Sequence, residues 1–195
     1  MLAVLLPAAG TSRRMAGRDK LMEEIDGVPL LARQVARAIA SGAPVYVTTR
    51  ADRPARISAL AGLNVQLVPV TDPDEGLSSS IRAGVAALPD NITALMILLP
   101  DLPDIETSDI CALMKAHSAH PGHILRAVAQ DGTPGHPTLF PGSLFRELAK
   151  LSGDTGAQSL LKRHGFTTVP LPGYRAITDL DTPEAWARWR AEHAR

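Results

Sequence analysis

Before Pro121 the chain alternates between short apolar runs and segments of helical periodicity. The runs are β-branched or aliphatic, are bounded by turn residues, and lie at residues 2–6, 45–49, 65–70 and 94–99. Between them apolar residues recur about every four positions, as at Leu31, Val35 and Ile39, which is typical of a helix with one buried face. This alternation predicts an α/β fold: a Rossmann-like, doubly wound and mostly parallel sheet with helices on both faces.

The pattern changes after Pro121. Two extended segments within residues 123–140 flank a Gly/Pro turn, which predicts a hairpin. The remaining predicted elements are helices near 144–148 and 157–161, strands near Val169 and Ile177, and a last helix bearing Trp186 and Trp189. Because no internal repeat, low-complexity tract or linker divides the chain, we expect a single domain over residues 1–195.

Composition narrows the range of partners. Apolar residues make up 45% of the chain, charged residues make up 21%, and the formal net charge is zero. A general nucleic-acid or membrane-surface binder needs a basic excess, so we expect neither kind of partner. The single cysteine, Cys111, cannot form an internal disulfide, and the apolar N-terminus lacks the basic segment of a signal peptide. Both observations favour a cytoplasmic protein.

Cations are concentrated in the loop after the first strand, "LPAAGTSRRMAGRDKL" (residues 6–21). Gly10 and the small residues Ala8 and Ala9 allow successive backbone amides to face a ligand. The cations that this loop places within reach of phosphates are Arg13, Arg14, Arg18 and Lys20. The spacing matches neither GxxxxGK[ST] nor GxGxxG. The loop therefore predicts a polyphosphate site of another type, and the alternative is a basic turn whose side chains point into water.

A carboxylate follows the strand of residues 94–99. Asp101 lies at the carboxyl end of that strand, and parallel strands bring such ends to the same edge as the first loop. A carboxylate close to a polyphosphate repels it unless a cation such as Mg²⁺ lies between them. The alternative is that Asp101 caps the next helix, for which Asp104 or Thr107 is better placed. Asp101 is therefore a candidate metal ligand.

Three consecutive serines, Ser78, Ser79 and Ser80, begin a predicted helix. Their hydroxyl and amide groups at a helix N-terminus are typical of a nucleotide base or ribose contact, and equally of an ordinary helix cap.

The loop of residues 6–21 resembles the signature loop of the MobA-like nucleotidyltransferase superfamily, which includes the molybdenum cofactor guanylyl- and cytidylyltransferases. Asp101 falls where that family places its Mg²⁺-binding aspartate. Four later segments resemble the cytidylyltransferase branch: "EGLSSSIRAGVAAL", "GHPTLF", "SGDTGAQSLLKRH" and "DLDTPEAW". The resemblance spans nearly the whole chain in the expected order.

This resemblance implies transfer of CMP from CTP to the phosphate of molybdopterin cofactor, with Mg²⁺ as the cofactor and release of pyrophosphate. The backbone of residues 8–11 (Ala8, Ala9, Gly10 and Thr11) would hold the base and phosphates. Arg14 and Lys20 would neutralise charge on the α-phosphate and pyrophosphate. Asp101 and Asp181 would hold the metal, although Asp181 is equally well placed to cap the last helix. His136 would contact the second substrate on its pterin side, and the alternative is a turn histidine with no ligand.

The choice of nucleotide is argued from Ala8 and Ala9. Guanylyltransferases of this superfamily tend to carry two consecutive glycines here, and a methyl group would take space that a purine edge needs, which favours CTP. Two alternatives stay open. One is a nucleotidyltransferase of the same fold that uses GTP or acts on a sugar or polyol phosphate. The other is a carrier that holds the dinucleotide for a partner molybdenum dehydrogenase. The presence of both Lys20 and Asp101 favours catalysis.

Overall fold

The computed structural model describes residues 1–153 and 156–194. The strands of this part of the chain are β1 (Leu2–Pro7), β2 (Glu24–Ile25), β3 (Val28–Pro29), β4 (Val45–Thr49), β5 (Gln66–Pro69), β6 (Ala94–Ile97), β7 (Leu125–Val128), β8 (Pro134–Pro141) and β9 (Thr167–Pro170). Its α-helices are α1 (Leu30–Ala40), α2 (Pro54–Ser58), α3 (Leu77–Ala86), α4 (Thr107–Ala119), α5 (Phe145–Leu148), α6 (Gln158–His164) and α7 (Pro183–His193).

Seven of the strands form one sheet in the order β5-β4-β1-β6-β8-β7-β9. The first four are parallel, with β1 in the centre, where Val4 lies opposite Val45 on one side and Met96 on the other. Residues 3–6 of β1 are fully buried, as expected of a central parallel strand covered on both faces. The prediction of a mostly parallel, doubly wound sheet is confirmed.

Alternate side chains of β1 face two separate helical layers. Val4 and Leu6 pack with residues of α1 and α4, whereas Leu5 packs on the other face near α3. The approach of α3 to the sheet is close: a Cβ atom added at Gly84 would lie 2.4 Å from Leu5 Cδ2. Helices therefore cover both faces of the sheet, as predicted. No helix in the described part of the chain is long and apolar enough to cross a membrane.

The predicted hairpin is present as β7 and β8, and it interrupts the parallel order. Strand β8 is antiparallel to both β6 and β7, and β9 returns parallel to β7. The strand predicted near Ile177 is absent: Ile177 lies in a turn whose amide donates to Tyr174 O. The small hairpin of β2 and β3 was not predicted, because two-residue strands leave no apolar alternation to detect.

Residues 171–182, which we call the return segment, lie back against the sheet. The His136 amide donates to Ala176 O at 2.8 Å, and the Leu180 amide donates to Asp101 O at 3.1 Å. This approach requires glycine at position 135, since a Cβ atom there would lie 1.9 Å from Ala176 O. The return segment thereby brings its aspartates to the sheet edge at which β1 and β6 end.

Candidate functional site

A cleft of about 470 Å³ lies at the carboxyl ends of β1 and β6, where ligands bind in open α/β sheets. It is lined by residues 10–14 of the loop after β1 and, around the start of α3, by Pro73, Asp74, Gly76, Leu77 and Ser80. Side chains from three separate parts of the chain complete it, namely Lys20, Asp101, Asp179 and Asp181. The cleft is therefore assembled at the edge that the sequence predicts.

Lys20 lies at the centre of the charged side chains. Its Nζ is 2.5 Å from Asp101 Oδ2 and also contacts Asp181 Oδ1, while Arg14 reaches the other oxygen of Asp181. Burial alone would lower the pKa of the Lys20 ammonium, but the charges of Asp101 and Asp181 outweigh burial, and the net pKa is raised. Lys20 therefore stays charged, bridging two carboxylates.

Negative charge exceeds what Lys20 alone can compensate. Burial, a hydrogen bond with Asp181 and the charges of Asp181 and Asp101 all raise the pKa of Asp179. For Asp181, burial raises the pKa, but Lys20 outweighs it together with Asp179 and Arg14, so the net pKa is lowered. Asp101 Oδ1 is buried and has no hydrogen-bond partner in the described residues. This carboxylate oxygen is free to bind a cation.

The donor set fits a magnesium ion held jointly with a substrate. Among the described residues no three His, Cys, Asp or Glu side chains are grouped to hold a metal by themselves. Mg²⁺ in nucleotide sites is held through one or two carboxylates and the substrate's phosphates, because it gives up its waters reluctantly. Asp101 and Asp181, which Lys20 bridges, have the carboxylate oxygens that such an ion requires.

The carbonyl groups of residues 8–11 are turned towards arginines of the segment that follows β4. Arg56 donates to Ala8 O at 2.6 Å and to Gly10 O at 2.7 Å. Arg50 donates to Ala9 O at 3.3 Å, and Arg53 donates to Thr11 O at 3.2 Å. The amides of residues 9–12 make no hydrogen bond within residues 1–153 and 156–194. Those of Gly10, Thr11 and Ser12, which line the cleft, are thus available to a ligand there.

Sequence reasoning did not single out these three arginines. Each lies more than thirty positions from the carbonyl it contacts, and no local motif marks it. The segment "RADRPAR" (residues 50–56) places three arginines and one aspartate directly after a buried strand, and Arg56 itself is only 1% exposed. A fully buried arginine needs partners, so its burial points to a structured role.

The cations of the loop differ in position. Arg13, Arg14 and Lys20 line the cleft. Arg18 instead forms an ion pair with Glu23 at 3.0 Å and does not line the cleft. Met15, which lies between Arg14 and Arg18 in the chain, is fully buried and anchors the loop there. Only part of the predicted phosphate-binding charge therefore faces the cleft.

Ala8 and Ala9 are buried, at 0% and 1% exposure, and neither lines the cleft. Ala8 packs in the core, its amide donates to Thr48 O, and its carbonyl accepts from Arg56. The methyl group of Ala8 therefore does not fill space beside a bound base. Among the predicted loop residues, Gly10 and Thr11 are the ones that line the cleft.

The three serines at the start of α3 are all buried, but they do different things. Ser80 lines the cleft, and the Ser79 hydroxyl donates to Gly76 O at 2.9 Å. The Ser78 hydroxyl is buried without a partner in the described residues and does not line the cleft. Ser80 is therefore the one of the three that is placed to touch a ligand there.

His136 lies in β8, beside the cleft rather than in its lining. Burial lowers the pKa of its ring to about 4, despite the backbone of Ile97 and the charge of Asp101, which both raise it. The ring is therefore neutral near pH 7. Contact with a second substrate stays a prediction for this residue.

Two helix caps differ from expectation. Thr182 is the N-cap of α7, and its hydroxyl accepts from the Ala185 amide at 3.2 Å, so Asp181 is not the cap. Glu106, rather than Thr107 or Asp104, is the N-cap of α4, and it forms a reciprocal capping pair with Asp109. Neither Asp101 nor Asp181 is therefore the capping residue of these helices.

A larger groove of about 1260 Å³ lies between α1, α7 and residues 172–178. Three of its arginines pair with carboxylates: Arg33 with Asp26, Arg37 with Glu106, and Arg190 with Glu23. Its lining includes neither the loop after β1 nor Asp101, and each of these three arginines pairs with one carboxylate. We therefore place the candidate site in the smaller cleft.

A sheet of this order with such a cleft at its carboxyl edge defines an α/β nucleotide-binding protein. The chain belongs to the MobA-like NTP transferase domain family, whose model matches residues 3–169. The matched range contains Lys20 and Asp101 and ends before Asp179 and Asp181.

Relatives of full length support the family. A molybdenum cofactor guanylyltransferase of Rhodobacter capsulatus is 32% identical, over 96% of this chain and 94% of the relative. A second, from Burkholderia vietnamiensis, is 31% identical over 89% of this chain and 87% of the relative. The crystal structure of Rv0371c from Mycobacterium tuberculosis superposes with a TM-score of 0.84 at 25% identity, covering 96% of each chain.

Proposed function

We propose that this chain is a Mg²⁺-dependent nucleotidyltransferase that moves CMP from CTP to the phosphate of molybdopterin cofactor and releases pyrophosphate. The observation that carries the proposal is Lys20, whose ammonium bridges Asp101 and Asp181 in the cleft that residues 10–12, with their unbonded amides, also line. A cation, two carboxylates and a row of amides in one cleft suit a triphosphate and its metal.

In the proposed reaction a phosphate oxygen of molybdopterin attacks the α-phosphorus of CTP. A new P–O bond forms in line with the bond to pyrophosphate, which breaks. The amides of residues 10–12 bind phosphate oxygens and fix their orientation, and Arg14 and Lys20 stabilise the charge that develops on them. Mg²⁺ held by Asp101 and Asp181 supplies further neutralisation of the phosphates. Positioning and charge do most of the work in such a transfer.

CTP is proposed over GTP because four segments of the chain resemble the cytidylyltransferase branch. GTP is the second candidate, because the full-length relatives above are named molybdenum cofactor guanylyltransferases. Thermal unfolding with Mg²⁺ and each nucleotide separates the two, since at equal concentration the ligand that binds the native state more tightly raises the Tm more. We expect the larger rise with CTP. A larger rise with GTP would reassign the nucleotide and leave the reaction class intact.

The reaction is tested by pyrophosphate release with Mg²⁺ and each nucleoside triphosphate, with and without molybdopterin. We expect release with CTP that depends on molybdopterin. A carrier that holds the dinucleotide for a dehydrogenase would bind the product and release no pyrophosphate. Release that depends on a sugar or polyol phosphate instead would replace the second substrate.

A further inference from the structure

Arg56 lines the cleft, yet its guanidinium has no donor left for a ligand. Its Nε donates to Asp19 Oδ2 at 2.7 Å, and its Nη2 donates to Asp19 Oδ1 at 2.7 Å and to Ser12 Oγ at 3.1 Å. Its Nη1 donates to Ala8 O and Gly10 O. These bonds use all five N–H groups of the side chain, and every acceptor lies within residues 8–19.

The acceptors define the curvature of the loop. Ala8 and Gly10 are two residues apart, and one Nη1 atom binds both carbonyls, so the chain between them must bend around the guanidinium. Asp19, at the far end of the loop, is held by the same planar group through both of its oxygens. Arg56 therefore joins the start of the loop to the residue next to Lys20.

This arrangement has a consequence for the amides. With the carbonyls of residues 8 and 10 directed at Arg56, the amides of residues 10–12, which line the cleft, have no hydrogen-bond partner in the described part of the chain. A lysine has three donors on one point charge and cannot span two carbonyls and a bidentate carboxylate.

We infer that Arg56 is a positioning residue for the nucleotide: it holds the loop of residues 8–19 in the shape that presents the amides to a nucleoside triphosphate, without touching that ligand. The inference rests on the proposed function, and it deepens the account of the same cleft. Asp19 is part of the same hydrogen-bonded arrangement. Burial raises the pKa of its carboxyl, but the hydrogen bond and the charge of Arg56 outweigh burial, and the net pKa is lowered. Asp19 does not line the cleft, so any effect it has on nucleotide binding passes through the loop.

The test is Arg56→Lys, compared with wild type by isothermal titration with CTP and Mg²⁺ and by steady-state kinetics. We expect the KM and Kd for CTP to rise by about tenfold or more, as for the loss of charge-assisted hydrogen bonds. The KM for molybdopterin and kcat at saturating CTP should change by less than about threefold, because the loop adopts the same shape once CTP is bound. Arg163→Lys, in an exposed pair with Glu147, controls for the substitution itself.

A merely structural role predicts a lower Tm with unchanged Kd and KM for CTP in the folded protein, and that result overturns the inference. If Arg56→Lys does not fold, Asp19→Asn provides the test. This substitution weakens the ion pair with Arg56 at a residue that does not line the cleft, and it should raise the KM for CTP several-fold. Unchanged CTP binding in Asp19→Asn overturns the inference equally. Wild-type protein that binds no nucleoside triphosphate at all would instead refute the proposed function.

Discussion

Two segments meet at Lys20, and they are held in place by different kinds of bonds. The loop of residues 8–20 depends on side chains, chiefly those of Arg50, Arg53 and Arg56. The return segment depends on backbone hydrogen bonds to β8 and to Asp101. A loop held by side chains can be altered by replacing one of those side chains. A segment held by backbone hydrogen bonds is disrupted only where an added atom blocks its approach to the sheet.

The difference matches what each segment contributes. The loop offers amides and cations that must fit one ligand closely, and bidentate arginine contacts fix such geometry well. The return segment delivers Asp179 and Asp181, whose positions need only be close to Lys20. The largest effects should therefore come from Lys20 and Asp101, where the two segments meet, and smaller ones from the supports of each.

Lys20→Ala removes the ammonium that joins the two segments. If the loop stabilises phosphate charge, the single-turnover rate at saturating CTP should fall about 10²- to 10³-fold, roughly 3–4 kcal/mol. CTP binding should weaken less, because Arg14 and the amides remain. Arg18→Ala is the matched control, since Arg18 lies in the same loop but pairs with Glu23 outside the cleft. A Lys20→Ala rate within a few-fold of wild type would mean that the loop cations are surface charges that point into water and take no part in the reaction.

Asp101→Asn keeps the size of the side chain and removes its charge. Because its buried Oδ1 is the oxygen available to a cation, turnover at limiting Mg²⁺ should fall by about 10²-fold or more, while circular dichroism stays unchanged. The Mg²⁺ concentration that gives half-maximal rate should rise. Near wild-type activity at limiting Mg²⁺ would make Asp101 a turn residue.

Gly135→Ala tests the backbone-held segment. A Cβ atom there would lie 1.9 Å from Ala176 O, so the return segment must move away, and we expect the free energy of unfolding to fall by about 1–3 kcal/mol. Gly122→Ala is the control: nothing lies within 4 Å of its Cβ position, and its stability should change by less than about 0.5 kcal/mol. Equal stability of the two variants in urea unfolding would show that the return segment is not held at this point.

His136 gives the smallest effect, on the pH dependence of stability beside the return segment. Its ordinary pKa of 6.5 falls to about 4 in the folded protein, so the unfolded state binds a proton more readily and stability is lost as pH falls below 6.5. Between about pH 7 and pH 5.5 this linkage costs about 1 kcal/mol. His136→Gln should lack that part of the decline in urea unfolding. The same decline in both proteins would assign the acid sensitivity to other groups.

Much of the fold follows from local pattern. The apolar runs located β1, β4, β5 and β6 within a residue or two, and the Gly/Pro turn located the β7–β8 hairpin. Both signals are local, because strand burial and turn formation depend on residues that are close in sequence. Placing Lys20 and Asp101 at one edge needed one more rule, that the carboxyl ends of parallel strands lie together. What the sequence determined by itself is therefore the layered architecture and the edge at which the site lies.

The tertiary structure alone decided how that edge is assembled. The contact of Lys20 with Asp181, the five bonds of Arg56 and the caps at Thr182 and Glu106 each depend on which distant segments are brought together or on the geometry of one turn. Arg56 and Ala8 are 48 positions apart. No periodicity encodes such a pairing, because its energy comes from burying a charge beside specific acceptors, and those acceptors exist only once the sheet has formed.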